Sequence, residues 1–197
     1  MDSIKVNDIV ESLKKSLSAE RFEHTLGVAE MCVMLGKRYG VDEERIYLAG
    51  LLHDCAKCLS DSELLTIIEN NSWLKVDECE KVNPKTFHAP AGVVVAKERF
   101  GIIDEEILSS IRWHTLGKKD MSIFEKIVYL ADKMELRTRP VECRLPLEQA
   151  LKKGGIDAAI LESYRATIQS LVDRNLHICY TTIDIYNDLL RKVSIKK

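Results

Sequence analysis

Four histidines and two aspartates carry most of the chemistry this sequence can offer: His24, His53, Asp54, His88, His114 and Asp132. Imidazole nitrogens and carboxylate oxygens are the donors that iron, manganese and zinc take when no thiolate is present. The adjacent pair His53-Asp54 lies inside "LLHDCAKC", which also holds a second metal signal, the C-x-x-C of Cys55 and Cys58. The two signals predict different chemistry. A zinc ribbon needs a second cysteine pair, and Cys32, Cys79, Cys143 and Cys179 stand apart from one another. A thioredoxin-type motif needs a βαβ setting, and the surroundings here read as helix. Cys55 is therefore expected to pack in the core and Cys58 to end a helix.

The histidines and aspartates sit on elements that would aim them inward. Steps of three and four residues from His24 reach Val28, Met31 and Leu35, so helical periodicity places His24 on a core-facing stripe. Asp132 stands in the same relation to Val128 and Tyr129. A carboxylate turned into a helical core is costly unless it is paired or metal-bound. His53-Asp54 closes the apolar run "YLAGLL", His88 precedes the small residues Ala91 and Gly92, and His114 follows Ile111 and Trp113. Taken singly, each histidine is more simply a satisfied core residue. The coincidence of six such groups at interior-facing positions is what points to a metal centre. His177, in "NLHICY", has no acidic or cationic neighbour to recommend it and reads as structural.

The elements that must position these groups read as helices nearly throughout. Ser60 with Glu63, and Ser122 with Glu125, have capping-box spacing. Asp42 and Asp104 precede apolar-periodic runs as N-caps do, and Gly40, Gly101 and Gly154-Gly155 follow such runs as stop signals. Two stretches are irregular, 71–87 and 137–146, and the second reads as a mobile loop beside a site. The expected architecture is one all-α domain over residues 1–197, of roughly eight to ten helices.

Composition narrows the rest. Hydrophobic residues make up 46% of the 197, enough for a substantial core, and a net charge of −2 gives no global attraction to nucleic acid or to an anionic membrane. An anionic substrate must then be held by metal or by a local basic cluster. The amino-terminal "MDSIKVNDIVESLKK" is too polar for a signal peptide, and no apolar run approaches the ~18 residues of a membrane span. Six scattered cysteines are read as reduced thiols, hence a cytoplasmic setting.

The ordered set His24, His53-Asp54, Asp132 resembles the H…HD…D signature of the HD-domain metal-dependent phosphohydrolases. The segments "HTLGVAEMCVMLGKRYGVDEERIYLAGLLHDCAK", "IRWHTLG" and "IVYLADKME" resemble the YqeK subgroup over nearly the whole chain. That resemblance implies a compact all-α HD bundle, symmetrical hydrolysis of diadenosine tetraphosphate to two ADP, and iron as the metal. It also implies that His88 and His114 are the two extra histidines of a six-ligand, two-metal site. Where the subgroup continues with a Glu-Pro-x-Arg type segment, this chain has Glu135-Leu136-Arg137-Thr138-Arg139-Pro140, so the choice between Arg137 and Arg139 as the phosphate-binding arginine stays open.

Six such ligands can hold two cations about 3.5–4 Å apart. Asp54 is the natural bridge, with His24, His53 and Asp132 completing one ion and His88 and His114 the other. Water at such a cluster has its pKa brought toward about 7 and supplies the attacking hydroxide. The leaving ADP is a weak base, so the demand is charge neutralisation. Lys57, on the helix face of His53 and Asp54, fits that demand as a catalytic and substrate-binding residue. Arg112, Lys118, Arg137 and Arg139 complete the candidate phosphate-binding set; for Arg112 and Lys118 a solvated surface face is the plainer reading, and for Trp113 it is core packing. The expected partner is a small nucleotide, with no nucleic acid and no membrane, and with a homodimer as the assembly the reading allows. Two other readings stay in view: a different HD-type nucleotide phosphohydrolase, and a non-catalytic helical module that senses nucleotide or metal.

Overall fold

The capping signals translate directly into helix ends. The computed structural model describes residues 6–81 and 83–195; the first five residues of the charged amino-terminal stretch lie outside them. The elements are α1 (Val6–Ser16), α2 (Ala19–Tyr39), α3 (Glu43–Leu52), α4 (Asp61–Asn70), α5 (Glu78–Lys81), a 3-10 turn (Pro84–Thr86), α6 (His88–Phe100), α7 (Glu105–Trp113), α8 (Ile123–Met134), α9 (Val141–Asp173) and α10 (Tyr180–Ile195). No strand occurs among the described residues, and the fold is all-α as expected.

Both capping boxes form, at Ser60/Glu63 before α4 and Ser122/Glu125 before α8. Asp42 and Asp104 cap α3 and α7 through their carboxylates. Gly40 and Gly101 end α2 and α6 in the left-handed conformation, where the absence of a Cβ removes the steric penalty. Gly155, at φ 74°, breaks α9 into two helical stretches.

The expectation for 137–146 needs correction. Residues 141–146 are the first turns of α9, with Pro140 as its N-cap and Pro146 inside the helix. The preceding turn is tied down rather than mobile, by bonds described below. The stretch 71–87 is irregular, as expected, and contains only α5 and the 3-10 turn.

Helices α2, α3, α7 and α8 pack on one another at the centre, with α6 against α7, α4 against α6, α9 against α8, and α10 against α9. One hydrophobic cluster runs from Ile9 to Leu189. Full burial of side chains such as Ile46, Leu51, Ile111 and Leu130 stabilises by roughly 1.5–3 kcal/mol each. The Tyr129 and Tyr164 rings stack at 5.6 Å, and the Tyr164 hydroxyl donates to the Leu116 carbonyl at 2.5 Å, which joins α9 to the turn after α7.

Helices α2 and α3 approach closely at Gly50. A Cβ on Gly50 would lie 2.7 Å from the Ala29 Cα and 3.1 Å from the Ala29 nitrogen, both backbone atoms that cannot move aside alone. Gly50→Ala is therefore expected to destabilise the fold by about 1–3 kcal/mol through overpacking, read as a lowered denaturant midpoint; an unchanged midpoint would show that the two helices are not locked together there.

Candidate metal centre

Each of the six donors is presented by a helix end or a core-facing stripe. His24 is on the inner face of α2 with the buried Val28, Met31 and Leu35. His53 is the C-cap of α3 and Asp54 follows it. His88 is the first residue of α6, and His114 is the C-cap of α7. Asp132 is in the last turn of α8. His24, His53, Asp54, His88 and His114 are each at most 4% exposed, while the Asp132 side chain keeps 15%, which marks the side on which the cluster meets solvent.

Local hydrogen bonds settle which ring nitrogen faces inward. Nδ1 of His53 donates to the Gly50 carbonyl at 2.7 Å, and Nδ1 of His114 donates to the Ile111 carbonyl at 2.8 Å. Both acceptors are carbonyls that a helix end leaves without an amide partner. Each bond leaves the Nε2 lone pair free for a ligand. His24 achieves the same through Glu135, whose Oε1 lies 3.2 Å from Nδ1.

The inward atoms form two trios. Donor atoms of His24, His53 and Asp132 lie within 4.8 Å of one another, and so do those of Asp54, His88 and His114. Asp54 Oδ1 is 3.3 Å from His88 Nε2 and 3.4 Å from His114 Nε2, while Oδ2 is 3.7 Å from His53 Nε2. The carboxylate thus stands between the trios. The Nε2 atoms of His24 and His53 are buried without a hydrogen-bond partner, although His24 Nε2 is only 3.1 Å from Asp132 Oδ1. Two orphaned imidazole nitrogens facing a carboxylate are a poor hydrogen-bonded core and a good cation site. The donor set fits a divalent metal.

Charge in the cluster follows from burial and proximity. Burial pushes the His53 imidazole down to about 4, against the pull of Asp54. Burial and then His114 push His88 down to about 3. Both rings are accordingly neutral and able to ligate near pH 7. For Asp54, burial alone would raise the pKa, but His53, His114 and His88 hold it well below the usual carboxylate range. For Asp132, burial is likewise overcome, by Lys133, His24, His53 and Arg139.

The basic residues divide. Lys57 Nζ is 2.8 Å from His88 Nδ1, and Arg139 donates to Asp132 Oδ1 at 2.8 Å and to the Asp132 carbonyl at 2.8 Å. The other three have partners elsewhere. Arg112 is buried, donating to both carboxylate oxygens of Glu80 at 2.8 and 2.7 Å and to the Lys75 carbonyl, with Trp113 against its guanidinium. Lys118 pairs with the buried Glu125 at 2.7 Å. The Arg137 guanidinium lies across α2, held by Glu23 and Glu30. Their charge is already compensated by these carboxylates, whereas Lys57 and Arg139 lie against the histidine–aspartate cluster.

Several contributors were not read from sequence. Arg21, one turn before His24, reaches Asp54 Oδ2 at 3.4 Å, and Lys133 reaches Asp132 Oδ2 at 3.3 Å. Glu135, fully buried, accepts from the backbone of Arg137 at 2.6 Å and of Thr138 at 3.1 Å while it holds His24. Those bonds pin the turn after α8. Gly27 leaves the space for this carboxylate, since a Cβ there would overlap Glu135 Oε2. The helical offset of Arg21 from His24 was the available signal for the first; nothing in the sequence pairs Glu135 with His24. Cys55 is buried with its thiol 3.5 Å from the Gly92 carbonyl, and Cys58 is exposed; among the described residues neither joins a donor cluster.

Known proteins resemble this chain over most of its length. The HD domain family model matches residues 21–137. A symmetrical bis(5'-nucleosyl)-tetraphosphatase of Halalkalibacterium halodurans is 35% identical over 92% of this chain and 95% of its own. The protein of the same name from Bacillus subtilis is 30% identical over 90% of this chain and 94% of its own. The crystal structure of a predicted HD superfamily hydrolase involved in NAD metabolism from Clostridium acetobutylicum superposes with a TM-score of 0.89 at 32% identity, covering 95% of this chain and 98% of that one.

Glu135→Ala is expected to weaken metal binding by about 10–100-fold, the usual effect of losing the group that orients a ligating histidine, measured by competition with a chelator. Glu135→Gln, which keeps an acceptor for Nδ1, should fall between wild type and Ala. Equal affinity in all three would remove the orienting role.

Proposed function

This chain belongs to the HD domain family, and from that membership we propose that it is a metal-dependent hydrolase that cuts diadenosine tetraphosphate symmetrically into two ADP. The observation that carries the reading is the pair of donor trios meeting at Asp54, in a chain matched almost end to end by symmetrical tetraphosphatases.

On this reading His24, His53 and Asp132 would hold one cation and Asp54, His88 and His114 a second. Nitrogen and oxygen donors without thiolate suit iron among other divalent metals, and iron in both positions is the assignment we favour. When bound, the cations supply Lewis acidity, lowering the pKa of water at the site and offsetting phosphate charge.

The chain's own groups do the rest. Cutting at the middle of the tetraphosphate releases a nucleoside diphosphate, a weak base that needs charge neutralisation more than a proton. Lys57 beside His88, with Arg21, Lys133 and Arg139 beside the two aspartates, gives a rim of cations where that charge develops. Of the two arginines after Asp132, Arg139 is the one we assign to phosphate. A cleft of about 500 Å³ is lined by Lys133, Arg139, Leu147, Ser163, Leu171 and Arg174. Its size and its mix of apolar and polar lining suit a nucleoside, and we place one adenosine there. All six cysteines are free thiols, which supports a reducing, cytosolic setting.

Asp54→Ala is expected to lose bound metal and to lower turnover by about 10³-fold or more, with its helical circular dichroism retained; turnover like that of the wild type would remove the metal-hydrolase reading. Product chromatography on the symmetric dinucleotide should show ADP alone. Inorganic phosphate released from mononucleotides, with the dinucleotide left intact, would reassign the enzyme to another class of nucleotide phosphohydrolase.

A further inference from the structure

The described residues bring together one set of metal-ligating side chains outside the histidine centre: Cys79, His177 and Cys179, with one donor atom from each within 4.8 Å of the others. We propose that these three residues form a second, thiolate-bearing metal site, suited to a soft divalent cation of the zinc type and independent of the catalytic ions.

The donors come from two segments far apart in sequence. Cys79 is in α5, while His177 and Cys179 lie in the connection that leads into α10. Both segments are already fixed. Thr181 donates to Asp77 Oδ2 at 3.1 Å, directly linking the start of α10 to the cap of α5. Asp77 Oδ1 also accepts from the Glu80 amide at 2.8 Å, and the Cys179 carbonyl accepts from the Thr182 amide at 3.0 Å. The two sulfurs and the imidazole are thus brought together by contacts that need no ion.

Their chemistry differs from that of the first centre. Two sulfurs with one imidazole favour zinc-like ions, whereas imidazole with carboxylate suits iron or manganese. Three protein ligands leave a fourth tetrahedral position to solvent. Both cysteines are half-buried and His177 is exposed, so an ion can enter without opening the core. The carboxylates of Asp77 and Glu80 stand near this set, and binding of a cation would displace the thiol protons to solvent. An ion here would clamp the irregular 71–87 segment, whose Glu80 holds Arg112 two residues before His114.

The test uses the full chain carrying Asp54→Ala, which disables the first centre, reduced and titrated with Zn²⁺ and separately with Co²⁺. One zinc per chain and a thiolate-to-cobalt charge-transfer band are expected. Both should disappear in the added Cys79→Ser/Cys179→Ser background. His177→Ala, at an exposed position that does not threaten folding, should weaken zinc binding while leaving the sulfur-to-cobalt band in place. The proposal is overturned if the Asp54→Ala protein shows no thiolate band, or if zinc binding is unchanged by the cysteine and histidine substitutions. A Cys79–Cys179 disulfide in freshly purified protein that binds no zinc would also overturn it.

Discussion

A carboxylate buried among four imidazoles is the constraint on which the rest of this structure depends. Asp54 is 4% exposed, and its pKa is held well below the usual range despite burial, so it is an anion inside the protein. Leaving such a charge uncompensated costs several kcal/mol. His53, His114 and His88 offset part of that cost, and Arg21 at 3.4 Å adds to this from the half-open edge. Cations coordinated between the trios would offset more of it. The helix ends favour the same outcome. His53 and His114 cap α3 and α7, and Asp132 is in the last turn of α8, so three negative helix termini are directed toward the cluster.

The site is held by bonds that look like ordinary helix punctuation. The carbonyls of Gly50 and Ile111, three residues before His53 and His114, lack amide partners and instead fix the imidazoles. Glu135 accepts from the turn that leaves α8 and orients His24 with the same carboxylate. Folding and ligand positioning are therefore a single set of interactions. This also explains the division among the basic side chains. Arg112 and Lys118 neutralise the buried Glu80 and Glu125, and so belong to the framework. Lys57, Lys133 and Arg139 touch His88 and Asp132 themselves and keep an edge toward solvent.

Much of this was legible in the sequence because it is encoded locally. The caps at Asp42, Ser60, Asp104 and Ser122 depend on neighbours three residues away, and the stripe through His24 depends on helical period alone. All six donors could be nominated because buried histidine and aspartate at helix ends are rare enough to notice as a set. What could not be read is pairing across distance. Glu135 with His24, Arg112 with Glu80, and Cys79 with His177 and Cys179 are each joined only by the tertiary fold. The turn after α8 shows the same limit: its polar composition suggests mobility, but Glu135 and Asp132 accept its donors.

The central claim is that the six side chains hold metal together. Anomalous diffraction from crystals of the protein as purified, collected at the absorption edge of its bound metal, tests this directly. The account predicts two anomalous peaks, one among His24, His53 and Asp132 and the other among Asp54, His88 and His114. Crystals from protein saturated with iron or manganese that show no peak among these residues would contradict it.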